Sequence, residues 1–142
     1  MNPDSKASLQ FRDYFVENIN FDRPLGHISD GKLNLSTDFT HKSQLNEEEN
    51  QARVVLGVNI YPEKEEDLFS ISLKLVGFFD IEVAELEKDE IQQLITLNAT
   101  AILFPYLRSL VSQITMAANL PEPIILPTMN IGRMIEQQIE HE

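Results

Sequence analysis

The apolar residues of this 142-residue chain change their period once, at Leu86, and that switch dictates a sheet followed by helices. Before it, apolar and polar residues alternate in four runs. Leu33, Leu35, Thr37 and Phe39 alternate with Asn34, Ser36, Asp38 and Thr40; Ala52, Val54, Leu56, Val58 and Ile60 share one face; Phe69, Ile71, Leu73 and Leu75 share another. Phe11 to Phe21 alternates imperfectly, which predicts a strand with a bulge, and Gly77 before Phe78, Phe79 and Ile81 predicts a second bulge. Polar reversals at Asn46–Asn50 and Pro62–Asp67 join these runs, as in an antiparallel meander with one covered face. The segment from Asp22 to Gly31 is long for a hairpin and suits a crossover to a non-adjacent strand.

After Leu86 the spacing becomes three to four. Ile91, Leu94, Ile95, Leu97, Ala101, Phe104, Leu107, Leu110, Val111 and Ile114 form a wide stripe, opened by the acids Glu87, Asp89 and Glu90. Pro105 lies inside the run and costs a helix about 3 kcal/mol unless a kink accommodates it. The expectation is a helix over 87–119 kinked at Pro105, or two helices meeting near Phe104. Leu103, Leu107, Leu110 and Ile114 also fit heptad spacing, which predicts a helix-mediated interface between subunits. Pro121, Pro123 and Pro127 hold the next segment extended, and Ile131, Met134, Ile135 and Ile139 make one face of a short final helix. The expected fold is α+β: a four-stranded antiparallel sheet with the long and the short helix on one face. Residues 1–8 are expected to be disordered and 9–140 to form one domain.

Composition narrows the function classes. Acids outnumber bases 23 to 11, a net charge of −12, so nucleic acid and anionic membranes are disfavoured partners. The absence of cysteine removes disulfides and thiolate chemistry and suits a reducing compartment. The first residues lack the basic start and apolar run of a secretion signal, and no window reaches the roughly 18 consecutive apolar residues of a membrane span. A cytoplasmic location is expected. No phosphate loop, nucleophile elbow or His-Glu-x-x-His motif occurs, and His27, His41 and His141 are scattered. The expectation is a non-enzyme without metal or cofactor.

Ile102-Leu-Phe-Pro-Tyr-Leu-Arg108, Leu120-Pro and Leu126-Pro-Thr-Met-Asn-Ile131 closely resemble the helix and proline-rich segment of the SecB export-chaperone family. Glu17-Asn-Ile-Asn-Phe-Asp22 and Gly77-Phe-Phe-Asp-Ile81 resemble the ends of that family's first and last strands. The resemblance implies a dimer of dimers that binds unfolded polypeptides in apolar grooves without ATP, in support of protein export. By position the groove would involve Leu25, Ile28, Leu33, Leu35, Phe39, Tyr106, Met134, Ile135 and Ile139. Met134 suits it best, because a flexible thioether adapts to many sequences. In the family, acids on the outer sheet face and a C-terminal tail dock the translocation ATPase SecA. Asp22 is retained as a SecA-facing acid, but Asn18, Ser70 and Ser72 depart from the pattern and the chain stops at Glu142. That combination also fits a SecB-like chaperone dedicated to one partner, such as an antitoxin. A small enzyme or ligand-binding subunit is the reading from another class.

Overall fold

The computed structural model describes residues 8–23, 35–46, 48–63, 69–82, 87–120, 124–127 and 130–140. Four strands, β1 (Ser8–Asp22), β2 (Leu35–Asn46), β3 (Gln51–Pro62) and β4 (Ser70–Glu82), form one antiparallel sheet in the order β1-β4-β3-β2. β1 therefore lies beside β4 rather than β2. β1 and β2 are the two edges, as a crossover between non-adjacent strands requires.

The alternation read in the sequence sorts the two faces. Leu56 of β3 sits opposite Leu75 of β4, Val58 opposite Leu73 and Ile60 opposite Ile71, and all six are buried on the inner face. Phe39 of β2 joins them opposite Val58. Burial of such side chains stabilises by about 1.5–3 kcal/mol each, and together they form the half of the core that the sheet contributes.

The bulge expected in β1 is present, twice over, and the one expected at Gly77 is not. Both register shifts are in β1, between Phe11 and Asp13 and between Val16 and Asn18, whereas β4 runs through Gly77 in unbroken register. Gly77 is there for space: a Cβ at this position would lie 2.7 Å from Leu103 Cδ2. The missing side chain lets the long helix settle on the sheet.

The long helix does not divide into two near Phe104. α1 (Lys88–Leu94) passes through a five-residue π turn (Ile95–Ala99) into α2 (Thr100–Ala117), which is continuous with Pro105 inside it. Pro105 and Ala101 are both exposed, so water can reach the Ala101 carbonyl that has lost its partner four residues on. The irregular turn instead sits at Ile95–Ala99, where Ile95, Thr96 and Ala99 are all buried. The helical run from Asp89 to Ala117 is 29 residues and apolar enough to cross a membrane by length and composition. Its buried members Leu103, Leu107 and Val111 belong to the core shared with the sheet.

α3 (Ile131–Glu140) crosses the π turn. Asn130 caps it, its Oδ1 accepting the Arg133 N–H at 3.1 Å. Gly132 is the contact point, since a Cβ there would come within 2.7 Å of Leu97 Cα and of the Leu97 carbonyl oxygen. Residues 124–127 run back along α2: Thr115 Oγ1 accepts the Ile124 N–H at 2.9 Å, Ser112 Oγ donates to the Ile124 carbonyl at 3.1 Å, and Arg108 Nε donates to the Leu126 carbonyl. Leu126 within this strap and Leu120 before it are both buried.

Candidate functional site

The groove positions inferred from the sequence separate into three groups. Leu25, Ile28 and Leu33 lie outside the described residues, and Ile139 is placed only as backbone of α3. Phe39 and Ile135 are core side chains, 8% and 2% exposed, with the Phe39 and Phe104 rings edge-to-face at 5.9 Å. This corrects their assignment as accessible lining: the inner side of β2 and the underside of α3 face the same apolar interior. Leu35, Met134 and Tyr106 remain at the rim, Leu35 and Met134 half-buried against the core and Tyr106 38% exposed.

Tyr106 is part of a larger aromatic surface. Its ring stacks on Tyr14 of β1 at 4.4 Å and on Phe11 at 5.8 Å, and Phe11 in turn contacts Phe79 of β4 at 5.5 Å. The helix and the edge strand thus present one continuous band of rings. Further along β1, Val16 and Ile19 lie opposite Leu75 and Leu73, which places them on the inner face, yet they are 36% and 52% exposed. An edge strand with bare apolar residues and unpaired backbone groups can accept another extended chain. Periodicity missed this feature because the two bulges scramble the alternation of β1. The aromatic density of Phe11, Tyr14 and Phe15 was the available signal.

The interface positions divide as well. Leu103 and Leu107 are fully buried within the subunit, Leu103 against Gly77, so their assignment to a subunit interface is corrected to core. The heptad spacing that selected them coincides with the sheet-facing stripe of α2. Leu110 and Ile114 are half-buried, and Met116 is 64% exposed.

On the outer sheet face, Asp22 is exposed at the end of β1 opposite Ser70. Asn18 is opposite Lys74, and Ser72 Oγ donates to Asn59 Oδ1 at 2.7 Å. The acids that the resemblance implies for SecA docking are thus represented there by Asp22 alone among Asn18, Asp22, Ser70 and Ser72. Among the described residues, no group of three or more His, Asp or Glu side chains is placed to hold a metal ion. His41 points to the inner face of β2 opposite Leu56, its Nε2 is buried without a hydrogen-bond partner, and burial lowers its pKa from the ordinary 6.5.

A model of the family described as "Preprotein translocase subunit SecB" matches residues 2–142. An uncharacterised protein of Methanocaldococcus jannaschii, MJ0357, is 33% identical over 138 residues, covering 95% of this chain and 87% of the relative. The protein-export protein SecB of Anaplasma phagocytophilum is 33% identical over 88 residues, covering 61% of this chain and 55% of that one. Among solved structures, the Mycobacterium tuberculosis SecB-like chaperone in complex with a ChAD peptide from the HigA1 antitoxin superposes with a TM-score of 0.73 at 17% identity, over 85% of this chain and 90% of that one. The match along almost the entire length, with the four-stranded sheet, the long helix and the short helix behind it, places this chain in the SecB family.

Proposed function

We propose that this chain is an ATP-independent, non-enzymatic holding chaperone that binds unfolded polypeptide through the apolar rim formed by β1, α2 and α3. Family membership supports the chaperone role. The observation that carries the site is the exposure of Tyr106, Val16 and Ile19 beside the buried core. An extended client would lay alternate side chains on this rim and pair its backbone with the free edge of β1. Apolar burial contributes about 25 cal/mol per Å², and ordering the client opposes it. One site therefore binds weakly and with little sequence preference. A homo-oligomer, a dimer of dimers whose contacts include Leu110 and Ile114, would multiply the sites and raise apparent affinity through effective concentration.

Leu25, Ile28, Leu33 and Ile139 complete the proposed lining. Clients are preproteins held in the cytoplasm for export, with SecA docking at Asp22 weakened by Asn18, Ser70 and Ser72. A second reading, a chaperone dedicated to one partner, is favoured by those departures and by the antitoxin peptide bound in the structural neighbour. Recovery of bound polypeptides from cells, with SecA scored in the same sample, separates the two. Many preproteins with SecA support export, and a single recurrent partner without SecA supports the dedicated role. Failure to recover any polypeptide contradicts both.

A further inference from the structure

The outer face of the sheet carries a surface that the client rim does not use. Its residues line up in rows across the strands. One row is Phe15–Val76–Val55–Lys42, and a neighbouring row is Asp13–Phe78–Arg53–Gln44. The row on the other side is Asn18–Lys74–Gly57–Thr40. An apolar strip is thus flanked by bases on both sides and ended by a third. Phe15 is 49% exposed and stacks on Phe78 at 5.7 Å, which covers Val76 from above and leaves an aromatic ledge. A concavity of about 540 Å³ opens here, lined by Phe15, Val55, Phe78, Lys42, Arg53 and Lys74, with Glu17 at its β1 margin.

The charge distribution is what selects an occupant. In a chain with 23 acids and 11 bases, three bases gather around one apolar strip. Arg12 pairs with Asp80 at 3.2 Å, but among the described residues none of Lys42, Arg53 and Lys74 forms an ion pair. Arg53 donates to the side-chain oxygen of Gln44. Asp13 and Glu17 lie on β1 and Asp38 lies further along β2, while Lys42, Arg53 and Lys74 surround the strip itself. Bases around an apolar ledge complement carboxylates that flank an apolar side chain.

We propose that the outer face docks an acidic, extended segment of a partner protein, whose apolar or aromatic side chain seats on Phe15, Val55 and Phe78 while its carboxylates meet Lys42, Arg53 and Lys74. The surface lies on the opposite side of the sheet from the client rim and stands or falls independently of it.

The test is fluorescence anisotropy of a labelled synthetic peptide in which Glu alternates with Leu around a central Phe. The full chain is expected to bind it, more weakly as salt is raised. Lys42→Glu/Arg53→Glu/Lys74→Glu, all at exposed positions, and separately Phe15→Ser should each weaken binding about tenfold or more, equivalent to about 1.4 kcal/mol. Met134→Ser, at the client rim, should weaken it less than either outer-face variant. The proposal is overturned if the wild type does not bind, if the triple variant binds equally well, or if a peptide with Gln for Glu binds as tightly. It is likewise overturned if a single-stranded oligonucleotide displaces the peptide, or if the triple variant sediments at a different mass from the wild type, which would assign the face to a second copy of the chain.

Discussion

Met134 and Ile135 are neighbours in sequence and differ in what they can do. Ile135 is sealed under α3, so replacing it with Ser leaves a polar group in an apolar site and costs about 2–4 kcal/mol in urea unfolding. Met134 sits at the rim, and Met134→Ser should shift stability by less than about 1 kcal/mol while weakening client holding. The same contrast applies on α2. Leu107→Ala should lower stability by about 2–5 kcal/mol, because a fully buried leucine leaves a cavity against the sheet. His41 supplies a pH dependence. Burial keeps its imidazole neutral below the ordinary pKa of 6.5, so the unfolded chain takes up a proton that the folded chain refuses. Stability is fully present above 6.5 and declines as pH falls below it. Urea titrations at pH 7.5 and 5.5 should show a smaller loss for His41→Gln than for wild type; an equal loss would place the dependence on other groups.

At the scale of elements, three of the four strands and both helical regions were legible because one face of each is buried against the same core. Strict period-two alternation in β2, β3 and β4 reports that directly. β1 was less legible, since two bulges turn its side chains out of phase and hide which face Val16 and Ile19 occupy. Gly77 was misread as a bulge because a glycine in a strand signals either a bulge or a close approach, and sequence alone does not name the helix residue that needs the space. The heptad reading of α2 failed at Leu103 and Leu107 for a related reason: a stripe spaced for a partner helix is also spaced for a sheet. The π turn left no sequence signature at all. The strap along α2 offers a prediction at this scale. Thr115 Oγ1 both donates to the Val111 carbonyl and accepts the Ile124 N–H, so Thr115→Val should cost about 1–3 kcal/mol and raise hydrogen exchange at Ile124. Protection at Ile124 unchanged from wild type would show that the strap is held by other contacts.

For the whole molecule, the two sheet faces divide the labour. The inner face is spent on the core except along β1, where the rim stays open, and the outer face keeps an apolar strip among bases. A subunit with 23 acids and 11 bases stays dispersed while exposing Tyr106, Ile19 and Phe15. Subunit association is expected to involve the half-buried side of α2. Leu110→Asp should lower the mass measured by light scattering without unfolding the chain, whereas Leu107→Asp should unfold it; an unchanged mass for Leu110→Asp would remove that side of α2 from the interface. The most direct measurement of the holding activity is suppression of aggregation when a denatured, slowly folding client is diluted without ATP into this protein. Wild type is predicted to suppress light scattering, and Tyr106→Ser/Ile19→Ser, with near-wild-type thermal stability, to suppress it several-fold less. Equal suppression by the variant, or none by wild type, would contradict the account.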